Sequence, residues 1–189
     1  YLMGANRRAG VGAPDYVKYM LSRPVKVQPG SEFVYSTADS ILAGRMVEKA
    51  VGKRLSEYLY ERFFEPLGQG FPIWENCPQG HPIGGGGMFM TLSNMLKIGQ
   101  VYLMDGKWKG QQLVDPAWIK EATAKQIETP NPGNDIWVCG YGYQFWRNPY
   151  EDSYRTDGAY GQLTMVLPKK GLILSLIHIS EPTRLRCIS

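Results

Sequence analysis

The spacing of the apolar residues changes from helical to strand-like along the chain, and this change restricts the fold more than any other feature. Up to about residue 124 the apolar residues recur every three or four positions, whereas after Gly140 they lie in short strand-like runs separated by turns. Consecutive strands joined by short turns pair antiparallel. The order of helices first and strands later therefore predicts an α+β fold in which helices flank an antiparallel β-sheet.

Capping residues and prolines set the limits of the predicted helices. A short helix follows Asp15 and cannot pass Pro24, a second runs from Ser36 to Gly52, and a third covers residues 56–64. Ser36 and Asp39 fit a capping box at the start of the second helix. Thr91 and the Asp115-Pro116 pair begin two further helices. The predicted strands are "YGYQFW", "SYRT", "GQLTMVLP" and "GLILSL".

Composition and charge exclude several classes of function. The 189 residues carry a formal net charge of +4. The basic residues are scattered along the sequence, a pattern that does not predict a nucleic-acid-binding surface. No run of about 18 apolar residues predicts a membrane span. The three cysteines, Cys77, Cys139 and Cys187, lack metal-ligand spacing with the two histidines, so we expect no metal and no other cofactor. A Cys77–Cys139 disulfide and two unrelated buried thiols both remain open, and the second is favoured.

The segment "EFVYSTADSILAG", residues 32–44, places the Tyr35 hydroxyl directly before a predicted helix. One interpretation is structural, because Tyr35 would be a core tyrosine and Ser36 a helix cap. The other is chemical, because a tyrosine beside a helix N-terminus can exchange a proton with a substrate. The triplet alone favours the structural interpretation.

Several longer segments together resemble the class C β-lactamase-like serine hydrolases of the serine β-lactamase and penicillin-binding-protein superfamily. The segment "PGSEFVYSTADSILAGRMVEKAVGKRLSEYLYERFFEPLG" resembles that family's Y-x-N segment with its two following helices. The segment "GGGGMFMTLSNMLKIGQVYLMDGKWKGQQLVDPAWI" is similar to its next helical stretch, and "YGYQFW" followed by "YRTDGAYGQLTMVLP" to the strands that carry its third motif. The resemblance covers nearly all of residues 14–174.

This resemblance implies acyl transfer through a serine nucleophile in an S-x-x-K motif, with a lysine and a tyrosine handling protons. It makes Tyr35 the motif tyrosine and general acid/base. Thr37 stands where the family often has asparagine, and it offers a single hydroxyl in place of an amide for holding substrate. The surrounding match favours the chemical interpretation of Tyr35.

The resemblance also assigns the family's third motif to Thr156, Asp157 and Gly158. The motif lysine is absent here, which weakens the case for carboxylate-bearing β-lactam substrates. Gly158 would let the strand approach the acyl group closely, and the backbone N–H of Ala159 would stabilise charge on the carbonyl oxygen. Taken alone, the composition of "TDGAYGQ" favours an ordinary hairpin turn.

The nucleophile is missing from this sequence, because no serine is followed by lysine three positions later. The resemblance places S-x-x-K upstream of Tyr1. We therefore interpret residues 1–174 as a partial hydrolase domain, truncated at both ends and inactive by itself. The segment "SLIHISEPTRLRCIS", residues 175–189, resembles translated sequencing-adaptor sequence and is predicted to be a non-native tail.

Three further features have both structural and functional interpretations. Trp74 and His81 are candidates to line the substrate pocket, although packing is the favoured role for Trp74 and surface exposure is favoured for His81. The glycines of "GGGGMFMT" lack the lysine of a phosphate loop and would instead let the backbone pass close to the cleft. Side chains of residues 141–146 are predicted to alternate on one strand, so that one set can touch ligand.

The predicted function is hydrolysis of an amide or ester bond in a small molecule or peptide through an acyl-enzyme intermediate. The alternative is a non-catalytic, penicillin-binding-protein-like module that binds cell-wall peptides or a partner protein. The family resemblance implies a bacterial periplasmic or secreted location. The sequence leaves the oligomeric state open.

Overall fold

The computed structural model describes residues 13–129, 137–158 and 161–177. It contains helices and antiparallel strands, with helices packed against the largest sheet. The predicted α+β class, an antiparallel sheet flanked by helices, is therefore confirmed. The chain divides into two units, residues 1–90 and residues 91–189, and each is described by itself.

The first unit is mainly helical, and its helices begin and end where local sequence signals predict. The Asp15 carboxylate accepts a hydrogen bond of 3.0 Å from the Lys18 N–H at the first helix, and Gly52 ends the second with a φ of 69° that favours glycine. A short π-helical turn continues the third helix before Pro66. The elements are α1 (Tyr16–Leu21), α2 (Thr37–Val51), α3 (Leu55–Leu59) and the π-helical turn (Tyr60–Phe64).

The predicted capping box at the start of α2 is wrong. Ser36 occupies the N-cap position with extended backbone, but its side chain makes no capping hydrogen bond. The usual box pairs serine or threonine with glutamate or glutamine, and Asp39 is one methylene shorter than glutamate. Position 36 therefore marks the helix start through its backbone geometry.

The region between Gln69 and Met90 is largely loop, as predicted, but it contains one two-stranded antiparallel sheet. Strand β1 (Ile73–Trp74) pairs with β2 (Met88–Phe89). The loop between these strands carries His81 and the glycine run. Cys77 is a buried free thiol, as favoured from sequence over a disulfide, but the predicted burial of Cys139 is wrong, because it is only partly buried.

The second unit begins with α4 (Leu92–Leu103), which Thr91 caps by accepting a 3.3 Å hydrogen bond from the Asn94 N–H. A small two-stranded sheet follows, β3 (Lys107–Trp108) with β4 (Gln111–Gln112). Helix α5 (Pro116–Thr123) starts at Asp115, whose carboxylate accepts from the Ala117 N–H at 2.8 Å. Both predicted caps are confirmed.

A four-stranded antiparallel sheet forms the rest of the second unit, with its strands in sequence order. Helix α4 packs on β7 (Gln162–Leu167) and β8 (Leu172–Leu176). Its Gly99 permits this close contact, since a Cβ there would lie 2.9 Å from Ile173 Cγ2 and 3.0 Å from Thr164 Cγ2. The core beside the sheet contains Ala122, Phe145, Tyr154 and Val166. The strands are β5 (Trp146–Arg147), β6 (Tyr154–Gly158), β7 (Gln162–Leu167) and β8 (Leu172–Leu176).

The predicted strand over residues 141–146 is wrong, because only Trp146 of this segment lies in β5. The chain instead makes a tight turn in which the Gly142 N–H donates to the Phe145 carbonyl at 2.7 Å and Gln144 adopts a φ of 68°. The Tyr143 N–H donates to the Ala122 carbonyl at 2.8 Å, so the turn is packed onto the end of α5. The predicted alternation of side chains therefore does not occur.

The last described strand extends into the segment predicted to be a non-native tail. Ser175 pairs with Thr164 in the β7–β8 ladder, and their hydroxyl oxygens lie 3.0 Å apart. Residues 178–189 lie outside the described part of the chain. The origin of residues 175–189 stays a prediction.

Candidate functional site

The first candidate region lies at the N-terminus of α2. Tyr35 is two residues before the helix, with 38% of its surface exposed, and Thr37 is the first helical residue. Unpaired backbone N–H groups and the helix dipole make such a terminus favourable for negative charge. A partly exposed phenol in this position can exchange a proton with a bound molecule.

The glycine run packs directly against this helix start. A Cβ at Gly85 would lie 2.5 Å from Thr37 Cγ2 and 2.7 Å from the Thr37 carbonyl oxygen, and one at Gly84 would lie 2.5 Å from the Ser40 carbonyl oxygen. In contrast, no atom lies within 4 Å of the position that a Cβ at Gly86 would take. Only glycine allows the loop to run this close to α2 at positions 84 and 85.

Trp74 holds the same loop in place. Its indole N–H lies 2.9 Å from the Ile83 carbonyl and 2.8 Å from the Gly86 carbonyl, and donates to both. This bonding agrees with the packing role that the sequence favours for Trp74. Contact of Trp74 with substrate stays a prediction.

A buried carboxylate that the sequence analysis missed connects α2, α3 and the loop. Glu48 accepts from the Leu55 N–H at 2.9 Å, pairs with Arg45, and lies 3.0 Å from His81 Nδ1. The predicted surface exposure of His81 is wrong, because only 25% of its side chain is exposed and its Nδ1 lies against the Glu48 carboxylate. Helical spacing offered one sign that Glu48 is buried, since it lies seven positions after Ile41, which is buried on the same face of the helix.

The second candidate region is the end of β6, which carries Thr156, Asp157 and Gly158. Within the described residues, β5 pairs only with Tyr154 and Arg155, so the last three residues of β6 extend beyond it. On the other side, β6 pairs with β7 as far as Gly158 and Gln162. One backbone edge of residues 156–158 is therefore not paired with β5, and such an edge can bind an extended chain.

Asp157 is held by a buried arginine that the sequence analysis also missed. Arg155 Nε donates to Asp157 Oδ2 at 3.1 Å, and Arg155 Nη1 donates to Asn148 Oδ1 at 2.6 Å. The guanidinium carbon lies 4.6 Å from the centre of the Trp137 ring, a cation–π distance. Burial raises the pKa of the Asp157 carboxyl above its ordinary value of 3.8, and the hydrogen bond and charge of Arg155 oppose that rise.

The predicted site residues fall into two groups. Within the first unit, the glycine loop packs against Thr37, and Trp74 bonds that loop. Within the second unit, residues 156–158 are consecutive on β6. Ala159 lies outside the described residues, so its proposed N–H contribution stays a prediction.

The turn at residues 142–145 places one tyrosine at the surface of the second unit. Tyr143 donates from its hydroxyl to Glu121 Oε1 at 3.0 Å, and its ring lies 5.5 Å from that of Trp118. The hydrogen bond to Glu121 raises the pKa of Tyr143. Contact of this turn with a ligand stays a prediction.

Comparison with known proteins decides the family. Residues 3–185 match the sequence profile described as beta-lactamase. The chain belongs to the beta-lactamase family. Members of this family and its structural neighbours include hydrolases, among them carboxypeptidase, esterase and β-lactamase.

Solved structures share the fold of this chain. A Bacillus anthracis protein provisionally named a 6-aminohexanoate-dimer hydrolase matches 84% of this chain at 21% identity, with a TM-score of 0.73. A penicillin-binding-protein homologue from Caulobacter crescentus matches 87% at 17% identity, with a TM-score of 0.67. The chain spans 42% and 61% of the lengths of these two proteins.

Sequence relatives match over shorter stretches. A lovastatin esterase from Penicillium rubens is 38% identical over 55 residues, which are 29% of this chain and 14% of that protein. A protein of Escherichia coli (strain K12), provisionally named a D-alanyl-D-alanine carboxypeptidase, is 42% identical over 45 residues. These are 24% of this chain and 10% of that protein. Among the described residues, no helix has the length and apolar character needed to cross a bilayer.

Proposed function

We propose that this chain is part of a serine hydrolase that cleaves an amide or ester bond through an acyl-enzyme intermediate. The observation that carries the proposal is the end of β6, where Gly158 lies on a backbone edge that extends beyond β5. An extended amide or ester can pair with such an edge. Because Gly158 has no side chain, the carbonyl carbon of the substrate can come close to the strand. Membership of the beta-lactamase family supports this chemistry.

Tyr35 is the proposed general acid/base. It carries a hydroxyl, is partly exposed, and precedes the N-terminus of a 15-residue helix, where developing negative charge is stabilised. Thr37 would orient the substrate through its hydroxyl, and Trp74 would border the bound acyl group. Glu48 contacts His81 of the loop that packs on α2, and Trp74 bonds the same loop, so both would also act as positioning residues.

The serine nucleophile is proposed to lie outside this sequence, because no S-x-x-K motif occurs in it. Ala159 would supply one backbone N–H for the oxyanion, next to Gly158. The substrate is a small molecule or a peptide, and we propose that the enzyme is exported by a bacterium. A penicillin-binding-protein homologue from Pyrococcus abyssi is octameric, but the assembly of this protein is not proposed from that likeness.

Active-site labelling tests the proposal directly. This chain should not react with a fluorophosphonate or a penicillin, whereas the protein produced from the complete coding sequence should be labelled at the serine of an upstream S-x-x-K motif. Tyr35→Phe in the complete protein should slow labelling by about 100-fold or more, as expected for loss of a general acid/base. Stoichiometric labelling of a serine within this chain would refute the assignment of the nucleophile.

The alternative function is a non-catalytic module that binds cell-wall peptides or a partner protein. It is favoured by two residues, Thr37 and Thr156, which replace the asparagine and lysine that the family resemblance implies. An upstream coding sequence without S-x-x-K, together with saturable binding of cell-wall peptides by the complete protein, would support the module and exclude the hydrolase.

A further inference from the structure

The end of β6 presents two polar side chains of different character. Successive residues on a strand point to opposite faces of the sheet, so Thr156 and Asp157 lie on opposite sides of the same backbone edge. A ligand that pairs with this edge is therefore close to a hydroxyl on one face and a carboxylate on the other. The charge that a ligand meets at this edge depends on which neighbouring side chains are exposed to it.

The cation that balances Asp157 is not accessible to a ligand. Only 3% of the Arg155 side chain is exposed, compared with 20% of the Asp157 side chain. The guanidinium is already engaged by Asp157 Oδ2, Asn148 Oδ1 and the Arg147 carbonyl, and it stacks on the Trp137 ring. Arg155 thus fixes the position of the carboxylate, which stays partly exposed.

Arg147 is the other basic residue on this pair of strands, and it is directed to another partner. Its Nη1 donates to the Thr123 carbonyl at the end of α5, at 2.7 Å. Among the described residues of β5 and β6, Asp157 is therefore the ionisable side chain available to a ligand at the strand end. A ligand carboxylate placed there would meet a like charge, whereas an ammonium group would meet an opposite one.

We infer that Asp157 is a specificity-determining residue that selects substrates with a cationic or neutral group beside the β6 edge and disfavours substrates with a carboxylate there. The inference deepens the proposed function and rests on it. The substrate class it names is an amide or ester that carries an amine near the bond to be cleaved. Arg155 is a positioning residue in this arrangement, because it acts on substrate only through Asp157.

Matched peptides test the charge preference without requiring catalysis. Three peptides, acetyl-Ala-Ala-Lys-Ala-amide and its Gln and Glu counterparts, differ mainly in the charge of one side chain. Binding to this chain is measured from the backbone amide chemical shifts of residues 154–158. We expect the Lys peptide to bind about five- to tenfold more tightly than the Glu peptide, as partly exposed charge pairs allow, with the Gln peptide between them.

Asp157→Asn should abolish the preference while retaining an oxygen that accepts from Arg155. Asp152→Asn is the matched control, because Asp152 is an exposed acidic residue before β6 that pairs with Lys169. Raising the salt concentration should weaken the preference in the unsubstituted protein, which provides a readout that needs no variant.

Three results would overturn the inference: equal binding of the Lys and Glu peptides, a preference that persists in Asp157→Asn, or shifts that avoid the β6 end. Each is distinguishable from failure of the proposed function, which the labelling experiment measures separately. A complete protein that forms an acyl-enzyme but shows no charge preference would retain the hydrolase function and exclude this role for Asp157.

Discussion

Replacement of Gly85 by alanine tests the packing of the glycine loop on α2. The new Cβ would lie 2.5 Å from Thr37 Cγ2 and 2.7 Å from the Thr37 carbonyl oxygen. Rotation of the threonine side chain can relieve the first contact. The second involves the backbone of the first helical residue, so the loop or the helix start must move.

Gly86 provides the matched control, because no atom lies within 4 Å of its Cβ position. Both substitutions reduce the conformational entropy of the unfolded chain, which stabilises the fold by about 0.4–1 kcal/mol in each case. The difference between the variants therefore isolates the packing contribution. Overpacking costs about 1–3 kcal/mol, so Gly85→Ala should be less stable than Gly86→Ala by about that amount.

Urea denaturation of the two variants, followed by far-ultraviolet circular dichroism, measures this difference. Gly86→Ala should match or slightly exceed the unsubstituted protein in stability. In the complete protein, Gly85→Ala should also slow active-site labelling, because Thr37 and the start of α2 are displaced. Equal stability of the two variants would show that the loop does not pack on α2, and the structural basis for a site at this helix end would be lost.

Three further predictions concern the buried charges and the sheet. Glu48→Ala should destabilise the protein by about 3–5 kcal/mol, because it removes the acceptor of a buried network, and Glu48→Gln should destabilise it by less. Denaturation of these variants measures the loss. A loss of stability in His81→Ala as large as that in Glu48→Ala would contradict this prediction. The raised pKa of Asp157 means that the folded state favours its protonated form, so its contribution to stability is present below the ordinary value of 3.8 and is lost as pH rises through the higher folded value. Asp157→Asn should therefore flatten the fall in stability with rising pH in this acidic range, and an unchanged slope in pH-dependent denaturation would exclude the effect. Gly99→Ala should destabilise the protein by about 1–2 kcal/mol, although alanine is the better helix former. Adding Thr164→Ser to that variant should recover part of the lost stability, because it removes one methyl group that contacts the new Cβ. If the stability changes of the two substitutions simply add in a double-mutant cycle, the contact is absent.

The fold class could be predicted from sequence because its signals are local. Asp15, Thr91 and Asp115 cap helices through side-chain oxygens that accept from N–H groups two or three residues later, and Gly52 ends α2 because only a few residues adopt its backbone conformation readily. These interactions depend on neighbours within one turn of the chain. Because such local signals mark each element, the order of helices and strands along the chain could also be predicted from sequence.

Candidate site residues were found by their resemblance to a family pattern, which fixes residue types at positions along the chain. That pattern proposed Tyr35 and Gly158, but it had no means of finding Glu48 or Arg155. Both of these side chains gain their roles from partners distant in sequence or on another strand. A charged residue is read as solvent-exposed unless the partners that bury it are known.

The sequence by itself determined where most helices begin and end and that the strands after residue 146 pair antiparallel, because each follows from local hydrogen bonding or from spacing. Only the tertiary structure decided that residues 141–146 turn onto α5, that Glu48 is buried, and that Asp157 is partly exposed whereas Arg155 is buried. These outcomes depend on which surfaces pack together. Burial changes the free energy of a charge or an unpaired backbone group far more than any near neighbour in the chain does.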